Sequence, residues 1–294
     1  MNIFKKGIRR LMHILGEKKV ISTNQTIKWL HFIELGRWPN LKKPIDINEK
    51  LMWLEINSDT SEWSRLSDKY EVRGFIKDCG FENTLVKLIG IYESINEIDF
   101  RSLPESFVIK STNGSSQTII VKDKTKVNIP QITKQIESWF KLPFGLATGE
   151  KHYLQIKPRI IIEELLPTKD GEHPLDYKFY CFNGKAEYCL ILSERNIQKE
   201  SYKINLKITS TWEEVSDAIK SKYLGKVSSE TKPPELQKMI SMAEKLSKKF
   251  PFVRVDLYNI EGKIFFGEMT FTPAGCRTPY FNKDFIVKLG NLME

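Results

Sequence analysis

Residues 253–275 read VRVDLYNIEGKIFFGEMTFTPAG, and this stretch decides the fold. Its β-branched and aromatic residues predict two strands joined by a turn near 259–262. Three charged residues, Arg254, Asp256 and Glu268, interrupt the apolar run. Side chains alternate along a strand, so Arg254 and Asp256 share one face with Glu268 and Thr270. A turn centred on residue 261 sets Arg254 opposite Glu268 and Asp256 diagonal to it. Diagonal Cβ atoms lie roughly 7–8 Å apart, close enough for both carboxylates to converge on a hard cation. A solvent-facing ladder of ion pairs is the competing reading. The apolar flanks FF and TFTP argue against it.

The bulk composition fits an ordinary globular chain: 294 residues, 40% hydrophobic and 28% charged. Its length suffices for two or three lobes. Four cysteines, Cys79, Cys181, Cys189 and Cys276, form no CxxC pair, so neither a disulfide framework nor a structural zinc site is expected. No long uncharged apolar run suggests a membrane span, and the N-terminal apolar residues are too often broken by basic ones for a signal peptide. The expected location is the cytoplasm.

The net charge of +9 is unevenly placed. Residues 1–43 hold ten Lys/Arg against Glu17 and Glu34, so the remainder is nearly neutral. This argues against a nucleic-acid-binding fold, which needs its basic face on the folded domain. At helical spacing Phe4, Ile8, Leu11 and Leu15 share one face, with Lys5, Lys6, Arg9, Arg10 and His13 on the other. Two readings stay open: a helix lying on anionic lipid through residues 1–20, or one docking its stripe on protein.

Further along, Asp46-Ile47-Asn48-Glu49 has the spacing of a capping box and opens a helix. SEWSRLSDKYEVRGFIKDCG (61–80) predicts one helix closed by Gly80. A strand is expected over 85–92, then FVIK (107–110) and TIIVKD (118–123) around STNGSSQ. Next come a helix over 130–142 and the buried strand PRIIIEELL (158–166). The turn-rich stretch near 164–176 suggests a hinge. DYKFYCFNGKAEYCLIL reads as an Asn-Gly hairpin, and residues 232–250 as a helix ahead of the opening hairpin.

Several of these segments offer groups suited to chemistry, although each taken singly reads equally well as an ordinary Asn-Gly hairpin, a strand end or a snorkelling surface lysine. Lys110 ends a strand before Asn113, Gly114, Ser115 and Ser116, whose hydroxyls and backbone N–H groups suit phosphate oxygens. Glu163 and Glu164 end another strand, where carboxylates and free backbone groups suit an adenine edge and ribose hydroxyls. Asp176-Tyr177-Lys178 opens a third. Neither GxxxxGK[ST] nor a strand-GxGxxG-helix occurs.

The order of these segments resembles the ATP-grasp superfamily, whose R-x-D and E-x-N-x-x-P-G motifs stand at this interval. More closely, INEKLMWLE, SDKYEVRGFIKDCG, DFRSLPESFVIKSTNGSS, GEKHYLQIKPRIIIEELL, DYKFYCFNGK and KLSKKFPFVRVDLYNIEGKIFFGEMTFTPAG resemble the TupA-like ATP-grasp family. That family is named for teichuronopeptide biosynthesis and occurs among cell-surface polysaccharide genes. The resemblance spans roughly residues 46–280.

The resemblance implies an α+β, ATP-grasp fold: two α+β lobes with antiparallel sheets clamping ATP, plus the basic amphipathic N-terminal arm. The implied division is an arm over 1–45, a helical segment and first lobe over 46–165, and a second lobe over 166–294. Lys110 and Lys178 would contact phosphates, with Asp176 beside them, and Asn113, Gly114, Ser115 and Ser116 would cover them. Glu163, Glu164, Leu165 and Leu166 would hold adenosine. Asp256, Glu268 and Thr270 would bind Mg²⁺, expected as two ions with Mn²⁺ an alternative. Arg254 and Lys178 would be catalytic. The implied activity is ATP-dependent carboxylate–amine ligation through an acyl phosphate, joining an amino acid to a hexuronic acid of a capsule, O-antigen or teichuronic-type glycan. A lipid-linked acceptor would suit a chain peripheral on the inner face of the membrane. The alternative is a phosphotransferase acting on a sugar with the same site. A homo-oligomer is compatible with either. Departures are Thr270 where the superfamily usually has Asn, Ala274 where Gly is common, and a missing or reduced Rossmann-like domain.

Overall fold

A computed structural model describes residues 3–141, 143–168, 174–196, 201–225 and 232–293. The helices are α1 (Ile3–Glu17), α2 (Thr23–Leu35), α3 (Ile47–Asn57), α4 (Ser61–Ser67), α5 (Val72–Asp78), α6 (Ile129–Lys141), α7 (Phe144–Thr148), α8 (Leu236–Ser247) and α9 (Lys283–Asn291). The strands are β1 (Leu88–Tyr92), β2 (Phe107–Ser111), β3 (Thr118–Val121), β4 (Ile160–Glu164), β5 (Asp176–Phe182), β6 (Lys185–Asn196), β7 (Ser201–Ile208), β8 (Phe252–Ile260) and β9 (Lys263–Thr270). All pair antiparallel, in two sheets ordered β1-β4-β2-β3 and β7-β6-β5-β8-β9. The chain is therefore α+β, as its residues predict. It forms two compact units, one of residues 1–39, 53–75 and 86–166, the other of 40–52, 76–85 and 167–294. No helix among the described residues is long and apolar enough to cross a membrane.

In the first unit, Phe107, Ile109, Ile160 and Ile162 line one sheet face and pack against Ile132, Ile136 and Trp139 of α6. Ile161 is as fully buried as its neighbours, so β4 is covered on both faces, which explains its continuous apolar run. Strand parity then sends Lys110 and Glu163 together to the face away from α6.

The stripe on α1 is used within the same unit. Ile8, Met12 and Leu15 pack on Leu30 and Ile33 of α2, while Leu11 stays half exposed. The described part of the stripe thus takes the protein-docking reading. The side chains of Phe4, Lys5, Lys6 and Arg9 lie outside the described residues. Gly149 closes α7 at φ +79°, and a Cβ there would meet the Ile27 backbone nitrogen at 2.5 Å. Only glycine meets both demands.

The single helix expected over 61–80 is in fact two. Asp68 interrupts it by accepting the Tyr70 and Glu71 N–H groups at 2.7 and 3.2 Å. An Asp whose side chain caps the next helix also ends the one before it. Strand β7 was not among the expected elements, although Ile204, Leu206 and Ile208 alternate with Lys203, Asn205 and Lys207.

In the second unit, α8 covers one face of the larger sheet, where Cys181 of β5 meets the Ala243 carbonyl. The segment 40–52 belongs to this unit. Asp46 accepts the Glu49 N–H, one half of the expected capping box, and the buried Glu49 carboxylate accepts the Asn40 and Ile45 N–H groups. Asn48 accepts both the backbone N–H and the hydroxyl of Thr278, and Lys50 donates to the Gly290 carbonyl. The C-terminal part of the chain thereby fastens the start of α3.

Deep in the first unit, Glu55 accepts the backbone N–H of His152 and pairs with its ring Nδ1 at 3.0 Å, both residues essentially inaccessible. Removing a buried carboxylate strands its partners, so Glu55→Ala is expected to cost about 3 kcal/mol. Urea unfolding with an unchanged m-value measures it.

Candidate active site

Each unit holds a cluster of charged side chains that a core alone would not require. In the second unit they lie on the sheet face opposite α8. Lys178 of β5 stands across from Asp256 of β8, which stands across from Glu268 of β9. One step along, Tyr180, Arg254 and Thr270 form a parallel row. Strand pairing alone therefore gathers five of the expected residues.

The register differs from the expected one. Arg254 faces Thr270, and Asp256 lies directly opposite Glu268 rather than diagonal to it. The turn accounts for one residue of the shift, since it is centred between Glu261 and Gly262 with Ile260 opposite Lys263. A bulge between Asp256 and Leu257, which inserts Gly267 as an extra residue on β9, accounts for the other. A Cβ on Gly267 would sit 2.9 Å from the Asp256 carbonyl oxygen. Glycine thus permits the close approach that brings the two carboxylates abreast.

Arg254 donates to Asp256 through a two-pronged fork, Nε to Oδ1 at 2.6 Å and Nη2 to Oδ2 at 2.7 Å. Its Nη2 also reaches Glu268 Oε1 and Thr270 Oγ1, each at 3.0 Å, and the Thr270 hydroxyl donates to Glu268 at 3.1 Å. Lys178 Nζ lies 2.5 Å from Asp256 and 2.6 Å from Asp176. Asp256, Arg254 and Thr270 are buried, whereas the Glu268 side chain is 40% exposed. Burial pushes the Asp256 carboxyl up to about 6, against the pull of Arg254 and Lys178. Burial also opposes the charge on Lys178 and Arg254. Their carboxylate neighbours outweigh it and hold both above their ordinary values. Behind them the Tyr180 and Tyr280 hydroxyls meet at 2.8 Å, and burial pushes the Tyr180 phenol up to about 12.

Three carboxylates here face two cations, leaving one negative charge in excess. The buried Asp176 Oδ1 has no hydrogen-bond partner. Hard oxygen donors with excess negative charge suit a divalent cation such as Mg²⁺. Arg254 and Lys178 supply the positive charge that would otherwise be missing. Among the described residues no three acidic, histidine or cysteine side chains converge as a closed metal cage, so any ion here would retain other ligands. Thr270, which stands where the superfamily has Asn, is engaged by Arg254 and Glu268. Ala274 has φ +52°, with Gly275 and Cys276 after it also left-handed, which explains why glycine is common at that position.

In the first unit, Lys110 Nζ and Arg73 Nη1 grip the two oxygens of Glu163 at 2.7 and 2.9 Å. Arg73 also donates to the Val86 carbonyl. Glu164 turns to the other face and pairs with Lys87 near solvent. Leu165 and Leu166 come next, partly buried. The loop after Lys110 is anchored at its base. Thr112 exchanges hydrogen bonds with Arg159 and donates to the Lys157 carbonyl, and Lys69 donates to the Gly114 carbonyl at 2.6 Å. Only Ser115 and Ser116 are exposed, Ser116 at φ +61°. The buried Asn113 Oδ1 has no partner, a polar atom awaiting a donor.

Arg73 and Lys69 were not among the expected residues; both lie in the 61–80 segment, which the sequence shows only as a helix. As sequence, Lys157-Pro158-Arg159 suits either an anionic sugar or a structural role. Arg159 pairs with Asp68 and Glu71, at the break that the helical reading passed over.

The profile of the family described as TupA-like ATPgrasp matches residues 49–294. The chain belongs to the TupA-like ATP-grasp family. Membership places it among the ATP-grasp ligases, which use ATP and Mg²⁺. The solved structures it resembles include D-alanine–D-alanine ligase from Helicobacter pylori, at 17% identity over 84% of this chain and 68% of that one, TM-score 0.46. They also include the ATP-grasp ligase PsnB with its minimal precursor, at 11% identity over 82% and 68%, TM-score 0.42. D-alanine–D-alanine ligase from Bacillus anthracis matches at 14% over 78% and 66%, TM-score 0.42. The chain spans about two thirds of their lengths. No curated protein matches its sequence.

If Gly267 sets the register, a branched side chain there should displace Asp256 from Glu268. Gly267→Val is expected to destabilise the TupA-like protein by about 2 kcal/mol through overpacking. It should also lose Mg·ATP-dependent thermal stabilisation, read by paired melts with and without nucleotide.

Proposed function

We propose that this protein joins the carboxyl group of a hexuronic acid to the amine of an amino acid, with ATP as the energy source. The acceptor is a unit of a cell-surface glycan, free or lipid-linked, and the reaction takes place on the cytoplasmic side, where ATP is supplied. The observation that carries the reading is the buried row Lys178–Asp256–Glu268 with the Arg254 fork across it. Such a row adds little net stability compared with apolar side chains, so packing alone does not account for it. The uronic acid and amino acid come from the family's setting among polysaccharide genes.

In this reading the carboxylate attacks the γ-phosphorus of ATP and ADP leaves, giving an acyl phosphate. The amine then attacks the acyl carbon, releasing phosphate and a proton and leaving an amide. Phosphoryl transfer needs positioning and charge neutralisation more than covalent help. Lys110 presents an ammonium held in place by Glu163, which Arg73 holds in turn. Lys178 and Arg254 present charge to the transferred group. Asp256 and Glu268, with Thr270, would hold Mg²⁺, which supplies Lewis-acid stabilisation of phosphate oxygens when bound. Asn113, Gly114, Ser115 and Ser116 cover the phosphates from a loop pinned by Thr112 and Lys69, limiting access of water to the acyl phosphate. Glu164, Leu165 and Leu166 remain assigned to adenosine, and Asp176 to orienting Lys178. The ions number one or two, and Mn²⁺ can replace Mg²⁺.

The test is ADP release with Mg·ATP across uronic acids crossed with amino acids. Release of ADP and phosphate only when acid and amine are both present, with an amide product by mass, supports the proposal. A phosphorylated acceptor formed without amine makes the protein a phosphotransferase instead. Asp256→Asn and Glu268→Gln should each lower turnover by about 10³-fold or more, the scale of losing a key electrostatic group. Near-normal turnover in either would remove the metal assignment. Lys110→Ala should keep the fold but lose most of the ATP-induced shift in melting temperature.

A further inference from the structure

Helix α2 turns Ile27, Leu30 and Ile33 inward. Its outward stripe runs Ser22, Gln25, Trp29, Phe32 and Gly36 at helical spacing, without a charge. Charged residues would normally occupy such a face. Trp38, just beyond the helix, folds back onto it. Its ring stacks on Phe32 at 4.9 Å between centroids and meets Trp29 at 4.7 Å. Trp29 and Phe32 stand edge to face at 6.2 Å. Trp29, Phe32 and Trp38 remain 39%, 37% and 50% exposed, in that order. They form a preorganised aromatic platform left facing water.

The surrounding chain is strongly basic. Residues 1–39 carry eight Lys/Arg against Glu17 and Glu34, a net +6. Lys28 and Arg37 flank the platform in sequence. Indole and phenyl rings on a basic segment match the chemistry of an anionic bilayer surface, where aromatic residues settle at headgroup level and lysines meet phosphate. A second copy docking through this surface would bring together two segments that each carry a net +6 over residues 1–39, an arrangement that like charge disfavours. The apolar stripe of α1 does not compete for this role, because Ile8, Met12 and Leu15 are already packed on α2.

We propose that Trp29, Phe32 and Trp38, with the basic residues around them, form the surface by which the protein rests on an anionic membrane. This stands apart from the assignment of the ATP site. It moves the lipid contact from the α1 stripe to the outward face of α2 and the turn beyond it. It would also hold the enzyme where a lipid-linked acceptor is presented.

The experiment uses the full chain with vesicles of phosphatidylcholine alone or of equal parts phosphatidylcholine and phosphatidylglycerol. Cosedimentation is expected only with the anionic vesicles and should weaken as salt is raised. Chain-brominated lipid should quench tryptophan fluorescence. The combined variant Trp29→Ser, Phe32→Ser, Trp38→Ser should bind at least about tenfold more weakly, with an unchanged circular dichroism spectrum and unchanged ATP turnover in solution. Trp53→Ser, which removes another exposed indole of the same unit, should bind as the parent does. The proposal is overturned if the parent ignores anionic vesicles or if the triple variant binds equally well. It also fails if the parent elutes as a dimer that the triple variant splits, since the platform would then be a subunit interface.

Discussion

The second unit depends on one arrangement: the guanidinium of Arg254 forked onto Asp256, with Lys178 on the same carboxylate. A buried pair of this kind gives little net stability, because desolvating the ions offsets most of their attraction. Hydrophobic side chains of similar volume would hold three strands together as well. The charges are nevertheless surrounded with care. Strands β5, β8 and β9 align them, Tyr180 and Tyr280 exclude water behind them, and Gly267 shifts the register that places Glu268 beside them.

The two clusters carry opposite excess charge. Lys110 and Arg73 share one carboxylate, Glu163, and Lys69 adds a further ammonium at Gly114. That cluster is net positive, as phosphate binding needs. Asp176, Asp256 and Glu268 outnumber Lys178 and Arg254, and that cluster is net negative, as binding a divalent cation needs. The orphaned oxygens differ correspondingly. Asn113 Oδ1 is neutral and seeks a donor, whereas Asp176 Oδ1 belongs to a carboxylate.

Much of this was legible in the sequence, for definite reasons. Apolar alternation announces β8 and β9, and charges on one parity announce a shared polar face. The continuous isoleucines of β4 announce burial on both sides. The family motifs add order to what pattern alone leaves as separate pieces. What stayed hidden depends on spatial partners. No local signal tells that Gly267 is a bulge, since a strand glycine has several causes. Arg73 shows no role until Glu163 of β4 is beside it. Asp68 itself illustrates the difficulty, because a helical period continued across it while its side chain capped the next helix.

The N-terminal segment shows the same lesson in a different form. Its amphipathic stripe offered two occupants, lipid and protein, and periodicity cannot distinguish them. Packing can: Ile8, Met12 and Leu15 find Leu30 and Ile33, so those apolar surfaces are already removed from water. Once that stripe is accounted for, the exposed aromatic surface moves to the far side of α2. Trp29, Phe32 and Trp38 cover one another's faces and edges, which orders the rings before any partner arrives. Ordered rings lose little entropy on contact, so a surface of modest area can still bind usefully. Basic residues nearby add attraction that acts before contact and fades with salt. Burying the α1 stripe and exposing the α2 platform therefore answer a single constraint: a short basic segment has to fasten itself to the fold and still keep an apolar surface outward.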